Sequence, residues 1–247
     1  MNMPLSGKVA FINGGSRGIG AATARRLARE GATVAISYYS SSAEADALVA
    51  DIEANGGGAI AIKADSSDAR ALTLAIDSVA ERFGRLDILV NSAGVLLMGP
   101  VDQFSIADFD KTVAVNVRSV FVASKAAAAH MGEGGRIVNI SSTNAARMPF
   151  AGGAAYAMSK SALTGLAKGL ARDLGSRGIT VNNVQPGPID TDMNPETGAF
   201  ADALHAIMAL PRHGKPEEVA SMVAYLVGPE AAFVTGADLL IDGGFAA

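Results

Sequence analysis

Tyr156 and Lys160 stand four residues apart in the pentapeptide YAMSK. On a helix this spacing puts both side chains on one face, their bases about 6 Å apart. A phenol with a pKa of about 10 is a poor acid–base group at neutral pH until a nearby ammonium favours its phenolate. The pair is therefore a candidate for proton exchange with a substrate oxygen. The same spacing also occurs in amphipathic surface pairs, so the surrounding elements must decide.

A second candidate is NGGSRGIG, residues 13–20. Glycines there let the backbone turn tightly and approach a pyrophosphate, which unpaired amides and the positive end of a helix dipole then hold. The spacing is GxxxGxG on Gly14, Gly18 and Gly20 rather than GxGxxG. A tight strand-to-helix connection would want glycine in any case.

The elements that must position these residues alternate. Strand-like runs at 8–13, 32–37, 59–64, 86–90, 135–141, 179–184 and 238–241 are separated by helical patterns at 18–30, 42–55, 68–83, 107–131, 155–177 and 215–227. That order implies βαβ units, hence an α/β fold with a doubly wound parallel sheet of about seven strands and helices on both faces. VAFI, LDILV and RIVNI are apolar at successive positions, as expected of strands covered on both sides. A chain of 247 residues, 49% apolar and without a linker, is expected to form a single domain over 1–247. The long irregular stretch 186–212 is expected to be a binding loop or lid.

The order NGGSRGIG, NSAG (91–94), Asn116, ISS (140–142), YAMSK, PGPIDT (186–191) and VTGADLLIDGG (234–244) resembles the short-chain dehydrogenase/reductase family over nearly the whole chain. The resemblance implies a Rossmann-type sheet, a nicotinamide cofactor and a catalytic tetrad of Asn116, Ser142, Tyr156 and Lys160. Tyr156 would exchange the proton, and Ser142 would hydrogen-bond the carbonyl oxygen. Lys160 would lower the tyrosine pKa and hold the nicotinamide ribose, while Asn116 would hold a water of a proton relay. Read without the resemblance, Asn116 can also be a polar residue on a solvated helix face, and Ser141 competes with Ser142. Position 13 is Asn where the family usually has Thr, a change expected to matter little because Asn also bonds local backbone.

By the same resemblance the cofactor would meet Gly14, Ser16, Arg17, Gly18, Ile19 and Gly20, then Asp65 and Ser66 after the third strand. Asn91, Ala93, Gly94, Tyr156, Lys160, Pro186, Gly187, Ile189 and Thr191 would complete its contacts. Asp65 reads equally as an ordinary strand-end acid. The stretch ISYYSSS, 36–42, carries no acid before Glu44, where an NAD-preferring fold places one against the ribose hydroxyls. Tyr39, Ser40, Ser41 and the Arg17 guanidinium suit a 2′-phosphate, so NADP(H) is expected. Ser41 and Glu44 also match a capping box.

On the substrate side, Leu96, Leu97, Met98, Phe150 and the stretch from Met193 to Met208 would line an apolar pocket for a neutral ketone or alcohol. Lys168, Arg172 and Arg177 are the cations available should the substrate ride on a carrier protein. A non-catalytic NADPH-binding regulator is the competing reading, although such proteins generally lose a tetrad member. A sugar-nucleotide epimerase would need a further substrate domain. His130, His205 and His213 have no metal-ligand spacing, and the chain has no cysteine, so no metal is expected. A net charge of −4 without charge runs gives no nucleic-acid or membrane footprint. Without a signal-like start the expected compartment is the cytoplasm. Small and apolar residues in 107–131 and 155–177, with the apolar end ADLLIDGGFAA, point to a homotetramer with two kinds of isologous contact.

Overall fold

Successive apolar residues of the central strands divide between two cores. In the first strand, β1 (Val9–Asn13), Val9 and Phe11 join one buried cluster, Ala10 and Ile12 the other. This is why such a run need not alternate with polar residues. The computed structural model describes residues 3–247.

The chain continues through α1 (Gly18–Arg29), β2 (Thr33–Tyr38), α2 (Ser42–Ala54), β3 (Gly58–Lys63), α3 (Ala69–Phe83) and β4 (Ile88–Asn91). Its second half comprises α4 (Ile106–Val113), α5 (Ser119–His130), β5 (Arg136–Ile140), α6 (Ala154–Gly175), β6 (Thr180–Pro186), α7 (Ala199–His205), α8 (Pro216–Val227) and β7 (Asp238–Ile241). All seven strands pair in parallel, in the order β3-β2-β1-β4-β5-β6-β7. This is the doubly wound Rossmann arrangement, whose strand order reverses between β1 and β4 and opens a crevice above the carboxyl ends there. One core packs α1, α2 and α8 on the sheet through residues such as Leu27, Leu48 and Val223. The other packs α3, α5 and α6 through Ile76, Ala127 and Ala167.

Three expectations are corrected. The helical pattern 107–131 is not one α-helix, because a π-helical turn, Ala114–Arg118, separates α4 from α5 and contains the fully buried Asn116. The stretch 186–212 is not wholly irregular, since α7 lies within it and Ile189 bridges Gly214. Ser41 does stand at the N-cap of α2, but its side chain makes no capping bond, unlike Asp68, which accepts from the Arg70 and Ala71 amides. Ser41 instead lines the crevice.

Gly20, in the first turn of α1, allows the helix to sit directly on the preceding turn. A Cβ there would stand 2.2 Å from the Gly14 carbonyl oxygen and 3.0 Å from the Gly15 Cα. Both obstacles are backbone and cannot rotate away, so Gly20→Ala is expected to cost about 2 kcal/mol. A thermal melt should register a loss of roughly 4–8 °C, and an unshifted midpoint would show that α1 moves freely.

Candidate active site

The crevice above β1 and β4 is a cleft of about 1200 Å³ that runs from the glycine-rich turn to the loop after β6. Its middle is built by β5 and α6. Past Ile140 the chain presents two serines, and their hydroxyls point to different partners. Ser141 donates to the Lys160 carbonyl at 3.1 Å and is thereby committed to α6. Ser142 donates to Asn144 Oδ1 at 3.1 Å and accepts from the Asn144 amide at 3.1 Å, and both it and Tyr156 line the cleft. Ser142, not Ser141, is the serine whose hydroxyl bears on the Tyr156 phenol, lowering its pKa.

Lys160, one helical turn beyond Tyr156, is only 5% exposed. Its ammonium donates to the Ile140 carbonyl at 2.9 Å and lies 5.8 Å from the centre of the tyrosine ring. Burial without a carboxylate partner lowers its pKa to about 8. Burial likewise raises the Tyr156 phenol above its ordinary value, and the Ser142 hydroxyl opposes that rise. The Lys160 ammonium, meanwhile, is engaged on the Ile140 carbonyl.

Asn116 is not on a solvated face. Its side chain accepts from the Val95 amide at 2.8 Å and donates to the Val95 carbonyl at 2.9 Å and to Ser159 Oγ at 3.0 Å. The π-helical turn thus holds the strand-end loop after β4 against α6.

A row of polar side chains runs beneath the cleft. The buried Asn13, Asn91, Asn139 and Asn183 and the exposed Asp238 stand opposite one another on β1, β4, β5, β6 and β7. Asn91 donates to Asn139 at 2.9 Å, Asn139 to Asn183 at 2.9 Å, and Asn183 to Asp238 at 2.7 Å. On the other side, Ser37 and Ser66 donate to Asn13 Oδ1 at 2.9 and 2.8 Å, so asparagine at position 13 ties the ends of β1, β2 and β3 together.

Most of the expected cofactor residues line the cleft. Gly14, Ser16, Arg17, Gly18, Ile19, Tyr39, Ser40 and Ser41 surround one end; Asp65, Ser66, Ala93 and Gly94 follow; Pro186, Gly187, Ile189 and Thr191 border the other. Two do not: Gly20 is spent on helix packing, and Asn91 lies in the row beneath. Asp65 accepts from the Ser67 amide and hydroxyl, both at 2.8 Å, so the strand-end role and the cleft position coincide. The shape suits a dinucleotide. A Cβ on Gly14 would stand 2.7 Å from the Ala93 backbone, the first turn of α1 contains no acidic residue, and its amides 18–20 face the cleft end without a side-chain cap. Arg17 is paired loosely with Asp192 across the cleft, at 3.7 Å.

The other half is apolar. Leu96, Met98, Phe150 and Met193 line it as expected, whereas Leu97 does not and Met208 packs behind. Phe200 and Leu204, within the expected stretch from Met193 to Met208, line it too, and Met148 and Phe245 also line it but were not anticipated. Phe200 and Leu204 carry a helical i,i+4 signal within 186–212; Phe245 carries none beyond being apolar after two glycines. Lys168, Arg172 and Arg177 are absent from this lining, and Arg177 is bonded to the Ala128 and Met131 carbonyls. His130 pairs with Asp77, and His205 and His213 share a 2.7 Å hydrogen bond; no cluster suited to a metal occurs among the described residues.

Comparison with known proteins agrees with this geometry. A family model described as Enoyl-(Acyl carrier protein) reductase matches residues 14–246. The chain is 52% identical to the cyclic-di-GMP-binding biofilm dispersal mediator protein of Escherichia coli (strain K12), with 98% of each covered. A short-chain dehydrogenase/reductase from Serratia marcescens BCRC 10948 is 60% identical and superposes with a TM-score of 0.98, covering 99% of this chain and 100% of that one. A short chain dehydrogenase from Burkholderia cenocepacia J2315, solved in complex with NADP, is 57% identical with a TM-score of 0.97 over 99% and 100% of the two chains. The chain belongs to the short-chain dehydrogenase/reductase family.

Proposed function

We propose that this chain is an NADP(H)-dependent oxidoreductase that interconverts a ketone and a secondary alcohol. The observation that carries the reading is that Ser142, Tyr156 and Lys160 line one cleft together, between its glycine-rich half and its apolar half, with the Lys160 ammonium 5.8 Å from the centre of the Tyr156 ring. The nicotinamide cofactor supplies or accepts the hydride. Tyr156 gives its proton to the substrate oxygen in reduction and takes it back in oxidation. Ser142 turns its hydroxyl from Asn144 to that oxygen and steadies the charge that develops there. Lys160 bonds the ribose hydroxyls and provides the local positive charge, while Asn116 fixes the loop after β4 relative to α6. Arg17, Tyr39, Ser40 and Ser41 receive the 2′-phosphate. Residues 186–212 form the substrate loop. The apolar lining selects a neutral carbonyl substrate.

The relative from Escherichia coli is named for binding cyclic-di-GMP, which makes a non-catalytic regulator the second reading. Retention of Asn116, Ser142, Tyr156 and Lys160 together favours catalysis. A 3-oxoacyl carrier-protein substrate is a narrower form of the first reading, and Lys168, Arg172 and Arg177 do not line the cleft to support it.

The chain is proposed to assemble as a homotetramer. Phe109, Phe121, Tyr225 and Leu240, on helices and an edge strand, are 40–49% exposed, and Phe233, in the turn before that strand, is fully exposed; isologous contacts would cover them. Within ADLLIDGGFAA, Phe245 is 2% exposed in its own chain, so the large exposed apolar residue left for a partner there is Leu240.

NADPH is expected to bind at least tenfold more tightly than NADH, a difference of about 1.4 kcal/mol, in calorimetric titration. Equal affinities would refute the 2′-phosphate site, and Tyr39→Asp should move the preference toward NADH. Tyr156→Phe should abolish most ketone turnover while keeping NADPH binding within about threefold, whereas Lys160→Ala should weaken both. Substantial turnover without the phenol would end the proton-donor assignment. Light scattering should report four chains per particle, and a mass near the 25.0 kDa of one chain would dismiss the tetramer.

A further inference from the structure

Phe245 reaches the cleft by an unusual route. Beyond β7, Gly243 and Gly244 both take positive φ, 61° and 77°, and reverse the chain so that the next side chain points inward. The reversal is held by Asp242, which accepts from the Gly244 amide at 2.9 Å and the Ala246 amide at 3.0 Å. The same carboxylate accepts from the Thr143 hydroxyl at 2.9 Å, immediately after Ser142. Arg147, from that same loop, donates to the Phe245 carbonyl and lays its guanidinium 5.6 Å from the centre of the Phe245 ring. The ring also packs with Leu204 and Met208 of the substrate loop. One aromatic ring is therefore gripped by the loop that carries Ser142, rests against α7, and borders the apolar half of the cleft.

Resting on the ketone/alcohol reading above, we propose that Phe245 is the specificity-determining wall of the substrate pocket, limiting the size of the neutral ketone accepted, and that Arg147 is the positioning residue that holds it there. Two physical points support this. The ring is held by a cation–π contact with Arg147 and by packing with Leu204 and Met208, and its backbone carbonyl by Arg147, so it cannot swing aside without losing both the cation–π contact and its packing. It is also attached to the Ser142 loop through both Arg147 and the Asp242–Thr143 bond, which keeps its distance from the reacting oxygen constant. A wall of this kind discriminates by exclusion: a larger substituent must displace it, whereas a small one leaves it in place.

The test compares wild type with Phe245→Ala, Phe245→Leu and Arg147→Met, using cyclohexanone and the bulkier 1-tetralone. For each protein the NADPH dissociation constant is measured by fluorescence titration. The dissociation constants of both ketones for the NADP⁺-loaded protein are measured by calorimetry, and kcat/KM for both ketones is measured with NADPH. The expected result is a tetralone-to-cyclohexanone preference, in binding and in kcat/KM, that rises about tenfold in Phe245→Ala and about threefold in Phe245→Leu, with NADPH affinity within about twofold of wild type. Arg147→Met should move the same ratio in the same direction, because the ring remains but is no longer held. Phe245→Leu preserves the contacts with Leu204 and Met208 and carries the test if the alanine variant does not fold. An unchanged binding ratio in folded variants overturns the proposal. A shifted binding ratio in a protein that turns over neither ketone upholds the wall and refutes the ketone reading instead.

Discussion

The strands beneath the cleft are tied side by side not only by backbone pairing but also by a row of hydrogen bonds between side chains that crosses the sheet. Ser37, Asn13, Asn91, Asn139, Asn183 and Asp238 stand on six adjacent strands, five of them buried in the interior and the last on the edge strand. Because side chains alternate faces along a strand, a one-residue slip of any member would turn its amide into an apolar core. The unpaired partner left behind would cost about 1–3 kcal/mol. The row is interrupted where β1 meets β4: Asn13 Nδ2 and Asn91 Oδ1 have no hydrogen-bond partner among the described residues. That interruption coincides with the reversal of strand order, where the glycine-rich turn and Ala93 come together to form the cleft.

Above this row, each chemical group is placed by two elements at once. Lys160 belongs to α6 but is anchored to the last carbonyl of β5, and Ser141 returns the contact by bonding the Lys160 carbonyl. The reciprocal bonds lock the start of α6 to the end of β5, which fixes Tyr156 relative to Ser142. Burying an ammonium this way depresses its pKa and opposes folding while it is charged. The sign is definite: since the unfolded chain holds that proton more tightly, the opposition is full below about pH 8 and fades as pH rises toward the ordinary lysine value.

The sheet, its parallel sense and the cleft residues were legible because each has a local signature: apolar runs, glycine spacing, and a tyrosine and lysine on one helical face. Three features were not. The π-helical turn at 114–118 has the composition of an ordinary helix, AVNVR, and only the amide of Asn116 reaching Val95 explains the extra residue. Ser41 and Glu44 satisfy a capping pattern that the backbone at Ser41, φ −91° and ψ 61°, does not use. Phe245 looked like surface for a partner because its burial depends on Arg147, Leu204 and Met208, which are 37 residues or more away in sequence. Local pattern reports what a residue is suited to, not which distant segment claims it.

The π-helical turn has a further consequence for how this chain tolerates changes of length. A π-helical turn takes up one residue more than an α-helical turn, so removing one residue from 114–118 would restore unbroken α-geometry and leave α4 and α5 near their present phase. The residues of the turn itself would change the directions they face, and Asn116 would leave Val95 and Ser159. A deletion within α5 has no such slack: it would turn the part beyond it by about 100° and take the buried face of that helix out of the core. The turn is thus the one place along this rod where a change in count stays local, and its effect falls on Asn116.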